Sequence, residues 1–158
     1  ELDLALAEQY PGRARRPHLD LDHVPLASDV IWLARPLGLL VHRDAAATLL
    51  ATRDLPWVME PAGTVTREWS EQVCRAAGFE PDVRYALADL TAHIRLIRSG
   101  NAVGLLPGLL WAGEPEPLLD LTPLPGDPRR EIFSSARVSS AHAPAIRAVR
   151  DALARAAR

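Results

Sequence analysis

The sequence contains no lysine; all 18 of its basic residues are arginine. Schiff-base chemistry, a P-loop lysine and a lysine general base are therefore excluded. Cysteine occurs once, at Cys74, so there is no intramolecular disulfide framework and nothing points to an oxidising compartment. No apolar run approaches membrane-spanning length, and the start carries no signal-peptide pattern, so a cytoplasmic location with no membrane partner is expected. Strong charge is lacking too. A net charge of −2, with basic clusters only at Arg13, Arg15, Arg16 and at Arg129, Arg130, leaves no electrostatic footprint for nucleic acid.

What is present is enough apolar material for a core: 158 residues, 48% of them hydrophobic, fit one ordinary domain or two small lobes. Glu1-Leu-Asp-Leu-Ala-Leu-Ala7 alternates like a strand already in progress, which predicts a fragment of a longer chain. A buried strand is expected over residues 2–7, with Leu2, Leu4 and Leu6 on one side, broken by the turn signal Glu8-Gln-Tyr-Pro-Gly12. From His18 to Arg35 the pattern predicts two strands joined tightly at Ser28-Asp29. Residues 36–43 form a crossing segment, with Pro36 and Gly38 suited to a hinge.

Asp44 is a suitable N-cap for a short helix through about Thr52. Trp57 to Met59 then reads as a strand that stops at Pro61-Ala62-Gly63 and hands over to a helix from Thr64 to Ala77, ended by Gly78. That helix carries Val65, Trp69, Val73 and Ala76 on one stripe. Val83 to Leu87 predicts a strand, Asp89 caps a helix bearing Leu90, Ile94 and Ile97, and Ala102 to Leu106 predicts another strand. Residues 56–108 thus alternate as a parallel, right-handed βαβαβ unit, whose ligands sit beyond the strand carboxyl ends. Those ends are Glu60 to Thr64, Leu87 to Asp89, and Leu106 to Gly108. Leu118 to Leu124 suggests an edge strand and Glu131 to Val138 a further strand. The last helix runs from about Ala143 to Arg158, with Ile146, Val149 and Leu153 as its buried stripe.

Four stretches carry a resemblance. They are Glu1-Leu-Asp-Leu-Ala-Leu-Ala7, Pro56-Trp-Val-Met-Glu-Pro-Ala-Gly-Thr64, Ala77-Gly-Phe-Glu-Pro81 and Gly100-Asn-Ala-Val-Gly-Leu-Leu-Pro107. In this order and spacing the chain resembles the effector-binding domain of LysR-type transcriptional regulators over essentially its whole length. The resemblance implies an α/β, type 2 periplasmic-binding-protein-like fold, with two lobes, a hinge and an interlobe cleft. Residues 1–38 and 115–158 would form the first lobe and 39–114 the second. A small-molecule effector would bind in the cleft and alter how a homo-oligomer grips DNA through a helix-turn-helix domain that these residues do not contain. The family's first lobe begins with another strand and two helices ahead of Leu2, which are missing here, so half of the expected pocket has no residues to assign.

Gly63 and Thr64 are the leading effector contacts: the glycine permits close backbone approach, and the threonine offers a hydroxyl or simply caps its helix. Glu8 lies, by analogy, on the opposite cleft wall and suits a ligand with an amine or hydroxyl, with a solvated loop carboxylate as the plainer role. Asp89 is an N-cap first and a contact second. Leu106 and Pro107 shape the pocket floor or merely end a strand.

Other residues point to ordinary structure. His18, Asp20 and Asp22 would share one face of a strand, with His23 opposite, as a solvated edge rather than a metal site. His93 reads as a surface or partly packed histidine, and Cys74 as a packed thiol. Ser134, Ser135, Ser139 and Ser140 lack a nucleophile-elbow context. No cofactor, metal site or catalytic group is expected. A transporter's solute-binding protein is the alternative with the same fold, and an enzyme on a related α/β scaffold ranks last.

Overall fold

The computed structural model describes residues 2–13, 18–39, 44–111 and 118–157. Two compact units emerge, Glu1–Asp29 with Arg129–Arg158, and Val30–Pro128. The boundaries expected from sequence lay at 38/39 and 114/115. Residues 31–35 fall in the second unit, where they pair with two later strands. The fold is mixed α/β throughout.

In the first unit, β1 (Leu4–Gln9) pairs antiparallel with the strand Arg129–Ala136 (β7 in chain order), Leu4 facing Ala136 and Gln9 facing Glu131. The strand expected over residues 2–7 thus sits two residues later and includes Glu8. It is also an edge strand, and Leu2 and Leu6 are exposed rather than buried. β7 lies between β1 and β2, a single strand over Val24–Arg35 whose first residues belong to this unit. The expected break at Ser28-Asp29 does not occur. Arg129 donates to the Ser28 hydroxyl at 2.9 Å and to its carbonyl at 3.1 Å, while Arg130 bonds Asp29 at 2.9 Å. Two polar residues can stay inside a strand because guanidinium groups about a hundred positions later satisfy them.

The terminal helix, Pro144–Ala156, starts with proline in its first turn and buries Ile146 against Ala136 and Ala141. Val149, expected in the same stripe, is about half exposed. Residues 18–23 do not form a strand, so the expected shared face of His18, Asp20 and Asp22 is absent. Asp22 instead receives Arg150 through Nη1 at 2.8 Å and Nη2 at 2.7 Å, plus the Ala136 N–H at 2.8 Å. Arg150 also donates to Ser134 at 3.0 Å, and His23 stacks on Phe133 with ring centroids 3.9 Å apart.

In the second unit, Ile31 to Arg35 is flanked by β5 (Gly104–Pro107) and β6 (Asp120–Pro123), both antiparallel to it. β3 (Pro56–Met59) and β4 (Asp82–Ala86) pair in parallel, and Val103 bridges Trp57 in parallel on the other side. The expected βαβαβ order holds, with α2 (Val65–Ala76) and α3 (Leu90–Arg98) as crossovers behind the short α1 (Ala45–Leu50). A 3-10 helix follows over Gly108–Trp111.

Trp57 is wholly buried and its indole N–H donates to the Thr52 carbonyl at 3.2 Å. Val58, Ile97, Ala102 and Leu106 continue the core. A Cβ at Gly104 would lie 3.0 Å from the Val58 carbonyl oxygen, so a side chain there would press on the β3 backbone. On α2 the buried residues are Trp69, Ser70 and Cys74, whereas Ala76, expected in the stripe, faces solvent. Burial raises the Cys74 thiol to about 12, with Glu80 and Glu71 adding to the shift. A packed, unreactive thiol is the result.

The Arg150 hydrogen bonds hold the Asp22 carboxyl below its ordinary value of 3.8, against an opposing effect of burial. Below that value the unfolded chain binds the proton more readily than the folded one, so stability must fall with pH there. Urea midpoints measured from pH 5 down to 2.5 should drop, and the Asp22→Asn variant should show a shallower drop across the same window.

Candidate functional site

The site begins where β3 ends. Its four residues deliver the chain to Glu60-Pro61-Ala62-Gly63, and Gly63 takes a φ of 86°, a region open to glycine at little cost. Thr64 follows as N-cap of α2 in extended conformation. Its hydroxyl donates to the Pro61 carbonyl at 2.9 Å and accepts the Arg67 N–H at 3.2 Å. Of the two roles expected for Thr64, a hydroxyl offered to a ligand or a helix cap, the cap is the one seen here. The Val65 amide stands at the same positive end of the helix, where anions are favoured.

Arg67 was missed by sequence reasoning. It lies in the first turn of α2, reaches back to donate to the Glu60 carbonyl at 3.2 Å, and is held by Glu71 at 2.6 Å. Its side chain is 15% exposed. The turn is therefore braced from both of its ends by residues of the helix that it feeds. The i,i+4 spacing of Arg67 and Glu71 is readable from sequence; the contact with Glu60 is not.

The second strand end runs alongside. Leu87 N–H bonds the Met59 carbonyl at 3.0 Å, so the turns after β3 and β4 leave from the same edge. Asp89 caps α3 by accepting the Thr91 N–H at 2.8 Å. His93, expected at or near the surface, is 2% exposed, and its Nε2 is 2.7 Å from the Leu87 carbonyl. One turn inside α3, the ring finds its partner in the carbonyl that ends β4, so it packs inward without an unmet polar group.

Leu106 and Pro107 are buried, with Leu106 in the main core cluster. Because Val103 is parallel to Trp57, they too lie toward the carboxyl ends of β3 and β4. The structure thus brings Gly63, Thr64, Asp89, Leu106 and Pro107 to one end of the parallel ladder. Glu8 belongs to the first unit. Its carboxylate is engaged, by the Tyr10 hydroxyl at 3.2 Å and by Arg130, which also pairs with Asp29 at 2.9 Å. Burial pulls the Arg130 guanidinium down, but Glu8, Tyr10 and Asp29 outweigh it and the net shift is upward.

Among the described residues no group of three or more His, Cys, Asp or Glu side chains could hold a metal ion. No described helix is long and apolar enough to cross a membrane.

The family model for the LysR substrate binding domain matches residues 1–158. The chain belongs to the LysR substrate-binding-domain family. It is the effector-binding domain of a LysR-type regulator, with the type 2 periplasmic-binding-protein-like fold. It is 30% identical over 112 residues to the transcriptional dual regulator GltC of Bacillus subtilis, a match covering 71% of this chain and 36% of that protein. It is 32% identical over 107 residues to the malonate utilization transcriptional regulator of Klebsiella pneumoniae, covering 68% and 34%. The stretches matched are thus about a third of the length of these relatives. Both are named as regulators of transcription, not as enzymes.

Solved structures show the same LysR-type fold. The Synechocystis CcmR regulatory domain in complex with 2-PG superposes with a TM-score of 0.75 at 17% identity, covering 99% of this chain and 74% of that one. Full-length CbnR bound to its target DNA gives 0.69 at 20% identity, covering 99% and 53%.

Removing the Thr64 hydroxyl should cost about 1 kcal/mol, the usual worth of an N-cap. Thr64→Ala should therefore lower the urea midpoint and Thr64→Ser should restore it. Arg67→Met should speed amide hydrogen exchange at Gly63 and Thr64, while exchange in α3 stays unchanged.

Proposed function

We propose that the domain senses a small anionic or zwitterionic metabolite at the end of the β3–β4 ladder, through Gly63 and Thr64. Asp89 lies at the rim, and Leu106 and Pro107 form the floor. The observation that supports this reading most directly is the convergence of three strand carboxyl ends with the N-terminus of α2. Such a place offers backbone N–H groups and a helix dipole to a carboxylate or phosphate. CcmR is a complex with 2-PG, and the Klebsiella relative is named for malonate utilization, both in keeping with a small acidic effector.

Glu8 lies in the first unit, where it shares Arg130 with Asp29, and no effector contact is assigned to it.

In the full-length protein, effector binding would modulate DNA binding and transcription by a cytoplasmic homo-oligomer. DNA would be read by a separate helix-turn-helix domain. Since the named relatives are transcriptional regulators, sensing is favoured over the transport alternative, and no catalytic step is assigned.

A thermal-shift panel of malonate, glutamate, 2-PG and related acids tests the reading. One acid at a hundred times its Kd should stabilise the chain by about 2.7 kcal/mol, a shift that Gly63→Ala should diminish. A flat response across the panel would count against the proposal. A gel shift of this chain alone with its own promoter should show no sequence-selective complex; tight selective binding would contradict the assignment of DNA reading to another domain.

A further inference from the structure

A cavity in the Val30–Pro128 unit takes no part in the reading above and does not depend on it. It is a groove of about 670 Å³ between α1, α2 and the turn after β6. Leu49, Trp69 and Leu124, all buried, line it together with Val73 and Pro125. Its size falls within the range of small-molecule pockets, roughly 300–1,000 Å³.

The lining is almost entirely carbon. Among the described lining residues a single one is ionisable, Asp44 at the N-cap of α1. One of its carboxylate oxygens, Oδ1, accepts the Ala47 N–H at 2.7 Å. The other oxygen, Oδ2, has no hydrogen bond to any described residue, and Asp44 itself is exposed at the mouth. A carbon-lined groove with one negative charge at its mouth selects for shape by apolar contact and for sign by attraction.

We propose that this groove binds a small hydrophobic amine, an apolar molecule of drug-like size carrying one cationic nitrogen near Asp44. The preferred sign is opposite to that proposed for the effector at Gly63 and Thr64, so the two sites would take different compounds.

The test is a titration of the isotopically labelled chain with 4-phenylbutylamine, and separately with 4-phenylbutanoate, followed by NMR. The amine should bind saturably, shift the methyl signals of Leu49, Val73 and Leu124, and bind roughly fivefold more tightly than the carboxylate, as expected for one exposed charge. Asp44→Asn keeps a competent cap and should erase that preference. Ala76→Trp, on the exposed rim, should fill the groove and abolish amine binding with the unfolding midpoint maintained. Should that variant fail to fold, Leu50→Trp, also exposed, serves in its place. Absence of saturable binding, shifts elsewhere, or equal affinity of the two probes would overturn the proposal. So would a wild-type dimer that Ala76→Trp dissociates, because a second copy would then cover the groove.

Discussion

The second unit depends on the pairing of β3 on both of its edges. Pro56–Met59 is only four residues long, yet it has β4 on one side and Val103 on the other, with Trp57, Val58 and Met59 all buried. A strand this short has no stability of its own. It is held because Trp57 places its large ring in the core and still satisfies its N–H at Thr52. Once β3 is fixed, the turn at Gly63, the start of α2 and the end of β4 follow.

From that constraint comes the chemistry of the site. The hydroxyl of Thr64 and the guanidinium of Arg67 hold the turn, so under the proposed function recognition would fall to the helix end and its backbone. The proposed site would be preorganised, since the turn is already held by its own hydrogen bonds. It is also chemically plain, with charge supplied by the peptide dipoles. That suits reversible sensing better than bond-making, for which a nucleophile with a base beside it would be needed.

Much of this was legible in the sequence because the local signals agree with the fold. Asp44, Thr64 and Asp89 each cap the helix that follows them, and Gly78 and Gly100 each take positive φ where a helix ends. Caps and terminal glycines act over three or four residues, so no tertiary knowledge is needed to place them. The failures are of a different kind. Ser28-Asp29 looked like a turn because polar pairs within apolar runs usually are, and only Arg129 and Arg130 reveal why the strand continues. Leu2 and Leu6 alternate as a buried strand should, yet they lie on an edge that their own pattern cannot announce.

The sequence by itself determined the helices, the parallel βαβαβ alternation, the family and the turn at Gly63-Thr64, since each rests on neighbouring residues or on a periodic pattern. Only the tertiary structure decided where buried polar groups find partners: Arg67 on Glu60, His93 on Leu87, Arg130 on Glu8 and Asp29, Arg150 on Asp22. It decided also that β2 is one strand and that Gly104 packs tightly against the Val58 backbone. The reason is the same in each case. A buried donor or acceptor must be satisfied, but its partner is selected by distance in space, which separation along the chain does not reveal.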